Sequence, residues 1–156
     1  MARLTSLDQV SPGVALPRYR PGAHGCGIVH IGVGAFHRAH QAVYTDDALA
    51  AEGGDWRIIG ISLRSTDIAD ALNAQNGLYT LIVRDAAGDR ARVMGSIAHV
   101  VAAAREPGAA LAALTDPGIR IVTITVTEKA YGIARGSGVD ESNPAIAADL
   151  ANPRAP

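Results

Sequence analysis

Two glycines one residue apart, Gly32 and Gly34, follow directly on a short apolar run of Ile28, Val29 and Ile31. Phe36, His37, Arg38 and His40 come next, at spacings that suit the first turns of a helix. A buried strand that turns through glycines into a helix is built to hold a diphosphate. Gly32 allows the tight turn, and Gly34 lets the backbone come close to an anion. A helix starting there offers unpaired N–H groups and a positive dipole end. The match to G-x-G-x-x-G is incomplete. His37 stands in the third glycine's place, so helix and strand cannot touch as closely there.

Other side chains near this turn have more than one use. Arg38 could hold a phosphate or a substrate anion with its forked guanidinium, or remain an ordinary solvated helix charge. His37 and His40 are three residues apart, but no carboxylate or cysteine joins them at matching spacing, so no metal is expected. His30, inside the strand, reads as a hydrogen-bonded core histidine. Cys26 reads as a small buried residue rather than a nucleophile. The second apolar run ends Ile61-Ser62-Leu63-Arg64, with no acid before Asp67. A carboxylate there would hold the ribose 2′-hydroxyl of NAD, whereas Arg64 would suit a 2′-phosphate. The residues therefore leave NAD and NADP both open, and Asp67 has a simpler use as a helix cap. Thr127, Glu128 and Lys129 follow the strongest β-branched run. Glu128 could orient a ribose or polarise a substrate group, and Lys129 could serve as a charge or proton donor. Surface polarity at a strand end is the plain alternative.

The elements that must position these groups follow from the pattern. A strand over residues 27–31, a helix over 36–51 and a strand over 56–61 complete a βαβ unit in about 35 residues. A short helix is expected over 67–74, then a turn at Asn76-Gly77. Residues 78–84 and 91–101 read as a hairpin around a loop at 85–89, with Gly95 as a bulge. A helix over 106–114 admits Pro107 in its first turn. Residues 119–126 form the best strand, of the kind that helices cover on both faces. The expected fold is α/β and Rossmann-like: a doubly wound, mainly parallel sheet with an inserted β-hairpin. Residues 1–25 form an arm with one short helical turn, 26–135 the dinucleotide-binding domain, and 136–156 an irregular tail with one short helix over 145–151. Ligands bind outside the carboxyl ends of strands in such sheets, which selects residues 32–38, 62–67 and 126–131.

Composition narrows the partners. The 156 residues are 48% hydrophobic and 19% charged, enough for one globular domain with a core. A net charge of −1 and 4% aromatic residues argue against a nucleic-acid surface. One cysteine permits no disulfide within the chain, which fits a reducing compartment. No signal pattern opens the chain, and no apolar run approaches the roughly 20 residues of a membrane span. The expectation is a soluble, cytoplasmic protein with no membrane partner.

The stretch HIGVGAFHRAHQAVYTDDAL, residues 30–49, closely resembles the cofactor domain of the polyol-specific long-chain dehydrogenases. This is the mannitol dehydrogenase family, which includes mannitol 2-dehydrogenase and fructuronate reductase. WRIIGISLRS, QNGLYTLIVRD and TVTEKAYG also resemble it, in the same order, so the likeness covers nearly the whole chain. The resemblance implies hydride transfer between NAD and a polyol, a hexuronate or the matching keto sugar, without a catalytic metal. It implies a cofactor corner at Gly32, Gly34, Phe36 and Arg38, and the intervening Ile31, Val33 and Ala35 are expected at the cofactor with them. Ser62 and Arg64 fall at the ribose end, and Thr127 and Glu128 near the nicotinamide. Ala130 departs from the family's pattern, where glycine is expected. The family's catalytic lysine, asparagine and histidine belong to a helical C-terminal domain, so no catalytic residue is expected in this chain. It reads as a truncated form that keeps the nucleotide corner. A sheet without its covering elements could also self-associate.

Overall fold

The computed structural model describes residues 3–126 and 138–154. The chain parts into two compact units, Met1–Thr125 and Val126–Pro156. The first holds a four-stranded parallel sheet, a separate antiparallel hairpin and the helices that cover them. Its elements are β1 (Cys26–Ile31), α1 (Ala35–Ala39), α2 (Gln41–Glu52), β2 (Arg57–Ser62), α3 (Asp67–Asn73), β3 (Tyr79–Asp85), β4 (Gly88–Met94), β5 (Ile97–Ala102), α4 (Pro107–Thr115) and β6 (Ile121–Ile124). In the second unit, α5 (Pro144–Ala151) forms where a short helix is expected, with Pro144 in its first turn and Asn143 accepting from the Ala145 N–H.

The sheet order is β5-β2-β1-β6, all parallel. Alternate residues of each strand divide between two apolar clusters, as the two-residue period of a strand requires. Ile28, Ile58 and Val100 pack with Ala42 of α2 and Leu72 of α3. Val29, Ile59, Ile61 and Val101 pack with Ala110 and Ala113 of α4. Each large side chain buried this way contributes about 1.5–3 kcal/mol. Helices therefore cover both faces, and the expected doubly wound α/β fold with an inserted hairpin is present.

Three expected elements differ. The helix over 36–51 is two helices, broken at His40, whose backbone (φ −126°, ψ −88°) is not helical. The strand over 91–101 is also two elements. β4 closes the hairpin with β3, and β5 joins the parallel sheet beside β2. The corner between them is pinned from three sides. Gly95 N–H donates to Asp46, Ser96 Oγ donates to the Ala42 carbonyl, and Arg57 Nε donates to the Gly95 carbonyl. Gly95 is thus a change of sheet rather than a bulge, and a Cβ there would lie 2.5 Å from Pro21 Cγ. Third, β6 is not covered on both faces. Among the described residues it pairs with β1 alone, and Ile121, Val122 and Ile124 are exposed.

The arm carries two short 3₁₀ turns, Leu7–Gln9 and Pro21–Ala23. It packs on the domain through a parallel bridge from Ala15 to Arg92 of β4. Tyr19 Oη donates to Asp46 at 2.6 Å. Among the described residues, no helix is long and apolar enough to cross a membrane.

Candidate functional site

β1 is followed in the sheet by β2 and β5 on one side and by β6 on the other. The chain leaves β1 toward β2, and α4 later carries it back from β5 to β6 on the other side of β1; that reversal of strand order opens a crevice where open α/β sheets bind ligands. The glycine turn sits there. Gly32 takes φ +95°, a left-handed conformation that disfavours side chains, and its N–H donates to the Ile61 carbonyl. A Cβ on Gly32 would lie 3.4 Å from the Thr125 carbonyl oxygen. Gly34 differs. It is extended (φ −77°, ψ −178°), and among the described residues a Cβ there would meet nothing closer than 3.9 Å. No packing among the described residues requires glycine at this position. The open space in front of it is what an approaching diphosphate needs.

α1 is only five residues long, so its dipole adds little. The first intrahelical bond runs from Arg38 N–H to the Gly34 carbonyl. The N–H groups of Ala35, Phe36 and His37 precede it and are the donors such a turn offers an anion. The turn is held from both ends. Arg38 Nη1 donates to the Val33 carbonyl at 2.8 Å, and Tyr79 Oη donates to the Arg38 carbonyl at 2.6 Å. Burial pushes the Tyr79 phenol well above its ordinary range, so it stays a donor. Val33 is buried against Gly60 of β2, where a Cβ would lie only 2.4 Å from Val33 Cγ2.

The third-glycine position carries a packed solution. His37 is 1% exposed and lies on His30, with ring centroids 3.6 Å apart and planes 12° apart. His30 is the bonded core histidine its place in the strand suggests. Nδ1 meets Thr123 Oγ1 at 2.8 Å, and Nε2 meets Thr125 Oγ1 at 3.0 Å and the Gly32 carbonyl at 3.2 Å. Thr123 in turn donates to Gln41. Burial pulls the His30 imidazole down. Burial first, then His30 and Arg38, pull His37 down to about 3. The pair is therefore neutral and supports the turn from beneath.

Phe36 is exposed and stacks on His40 at 4.2 Å, while His40 Nδ1 bonds the Phe36 carbonyl. His37 and His40 thus turn to different partners. Among the described residues, no group of three or more histidine, cysteine or acidic side chains could hold a metal.

At the end of β2, Ser62 Oγ donates to the Ser65 carbonyl at 2.6 Å. Arg64 is exposed and forms no ion pair among the described residues. Asp67 opens α3, but it does not cap it. Ser65 Oγ instead accepts from the Asp67 N–H. Ile31, Gly32, Val33, Gly34, Ala35, Phe36 and Arg38 are gathered at one corner, with Ser62 and Arg64 at the adjacent strand end. Thr127 and Glu128, with Lys129, lie outside the described residues.

Sequence reasoning missed Asp46. It is 1% exposed and accepts from Tyr19, Gly95 and Arg92. A signal was present, because Asp46 falls between Ala42 and Leu49 at helical spacing on the apolar face of α2.

A parallel sheet in this strand order, with a glycine turn at its point of divergence, is a dinucleotide-binding domain of the Rossmann type. The profile of the mannitol dehydrogenase Rossmann domain matches residues 26–152, and the chain belongs to that family. It is similar to mannitol 2-dehydrogenase of Cereibacter sphaeroides, 47% identical over 92% of this chain and 31% of that protein. The Polyol:NADP oxidoreductase of Gluconobacter oxydans is 40% identical over 97% of this chain and 32% of its own length. The solved Pseudomonas fluorescens mannitol 2-dehydrogenase, a ternary complex with NAD and D-mannitol, superposes with a TM-score of 0.77. It is 43% identical over 94% of this chain and 31% of that one. The chain therefore spans about a third of the length of the relatives it matches.

Proposed function

We propose that this chain is the cofactor-binding part of an NAD-dependent dehydrogenase of the polyol type, acting on a polyol or hexuronate and its keto partner. The observation that carries this reading is Gly34, a glycine at the carboxyl rim of β1 with no described residue closer than 3.9 Å to where a Cβ would stand. Bound NAD would supply the hydride acceptor. The chain's own residues do the holding. First-turn N–H groups of α1 meet the diphosphate, and Arg38 and Tyr79 keep the turn in shape. Ser62 and Arg64 meet the adenine ribose. On the family resemblance, Thr127 and Glu128 stand near the nicotinamide. Similar relatives carry NAD in one solved complex and NADP in one name, and we take NAD as the preferred partner.

The dehydrogenase reading includes a restriction. His37, in the third-glycine position, is buried and neutral, so it offers no base to a substrate. We infer that the 156 residues alone bind cofactor and do not oxidise polyols. A purely nucleotide-binding module is the second reading, favoured by the burial of His37 beneath the turn. The exposed β6 edge offers a route to self-association, and the single cysteine suits the cytoplasm.

Calorimetric titration with NAD+ and NADP+ tests the shared core of both readings. Saturable binding with NAD+ preferred is the expected result, and no heat with either nucleotide would remove the proposal. Turnover of mannitol or fructuronate by the purified chain would overturn the restriction.

A further inference from the structure

The opposite pole of the sheet holds a second concavity. A cavity of about 380 Å³ lies at the amino ends of β2 and β5, between those strands, the loop before β3 and the N-terminal arm. This is the far end of the strands from the Gly32–Gly34 turn. Leu7, Leu78 and Ala98 give it apolar walls, with Thr5 and Ser6 at its edge. Among the described residues, Arg57 is the one charged residue lining it.

Arg57 is held in place and left uncompensated. Nε donates to the Gly95 carbonyl at 3.2 Å and Nη2 to the Ile97 carbonyl at 3.0 Å. Nη1 has no partner among the described residues, and no carboxylate there forms an ion pair with this guanidinium. Neutral carbonyls fix an arginine's direction but do not cancel its charge, and a partly buried charge without a counter-charge is costly. Burial pulls the Arg57 guanidinium below its ordinary value, the sign of that cost.

The arm closes over the cavity by bonds of its own. Leu4 N–H donates to Gln75 Oε1 at 3.3 Å, and Asn76 Nδ2 donates to the Thr5 carbonyl at 2.9 Å. A capping box between Ser6 and Gln9 fixes the 3₁₀ turn that forms this wall.

We propose that this cavity is a binding site for a small organic carboxylate with an apolar body, its carboxylate paired with Arg57. Mostly apolar walls with a few polar groups and one charge are the usual makeup of a small-ligand site, and the volume falls in the usual range. One guanidinium balances one negative charge. A phosphate dianion would bury a second charge with nothing to meet it. Occupation would also tie the arm to the sheet, because ligand contacts would bridge Thr5 and Arg57.

The test uses the 156-residue chain, titrated with hexanoate, hexanamide and inorganic phosphate while backbone amide shifts are followed by NMR. Hexanoate should give saturable shifts at Leu78 and Ala98 and slow amide exchange at Leu4. Hexanamide and phosphate should give none at the same concentration. Arg57→Gln should weaken hexanoate at least tenfold. Ala98→Phe keeps Arg57 and its two carbonyl bonds, fills the cavity and should abolish the response. That variant decides the matter if Arg57→Gln fails to fold. An equal response to hexanamide or phosphate overturns the proposal. So does undiminished binding in Ala98→Phe, or hexanoate shifts confined to the glycine turn.

Discussion

The His37 ring lies flat against the His30 ring, 3.6 Å between centroids, in the place where a glycine normally lets helix meet strand. His30 is bonded at both nitrogens, and neither His37 nitrogen has a partner among the described residues. The helix is set off from the strand by one ring thickness, and the stack fills the gap.

His37 contributes shape rather than polarity. His37→Phe should retain cofactor binding within about twofold and keep or raise stability, because a buried unpaired polar group is removed. His37→Ala should lose about 2–4 kcal/mol through the cavity it leaves. Urea unfolding and nucleotide titration read both. Loss of binding in His37→Phe would mean that an imidazole nitrogen is in use.

The same ring makes stability depend on pH. His37 titrates at about 3 in the folded chain, against an ordinary 6.5. Between those values the unfolded chain holds the extra proton. Stability is therefore complete above 6.5 and falls on acidification, by up to about 1.4 kcal/mol per pH unit. His30, also lowered by burial, adds in the same direction. Unfolding midpoints measured from pH 7 to pH 4 should drop, and less steeply in His37→Phe. Parallel slopes in the two proteins would reject the assignment.

Gly32 and Gly34 should separate under mutation. Gly32→Ala forces a side chain into φ +95° and should cost about 1–2 kcal/mol of stability. Gly34→Ser meets open space and adds a helix-capping hydroxyl, so stability should hold or rise by a few tenths of a kcal/mol. NAD+ affinity should nonetheless fall at least tenfold, since the side chain stands where the diphosphate comes. Thermal melts and calorimetry distinguish the two effects.

Asp46 joins four parts of the first unit. Its carboxylate takes Tyr19 of the arm, Arg92 of the hairpin and the Gly95 N–H at the sheet change, all from α2. Asp46→Ala should cost about 3–5 kcal/mol, the range for breaking a buried charged network. Tyr19→Phe removes one donor and should cost about 0.5–1.5 kcal/mol, with the arm exchanging faster. Equal losses in the two variants would contradict the hub.

Arg38→Met removes the guanidinium that holds the Val33 carbonyl while keeping most of the stem. Stability should fall by about 1.5–3 kcal/mol. NAD+ affinity should drop by more than in Tyr79→Phe, which loosens only the other end of the turn. Matching affinities in the two variants would show that Arg38 acts on the turn alone and not on the nucleotide.

The sequence by itself determined what short-range forces decide. Gly32 turns the chain after the apolar run wherever it stands, because only its own left-handed φ is at issue. Asn76-Gly77 and the capped α5 were legible for the same reason. So was the family, since its motif is contiguous. Only the tertiary structure decided the rest. His40 breaks a pattern that reads as one helix, and Gly95 sends one apparent strand into two sheets. Asp46 becomes a hub, and His37 finds a histidine instead of a glycine's gap. Each depends on partners from distant parts of the chain, and the free energy of such contacts exists only once the chain has brought them together.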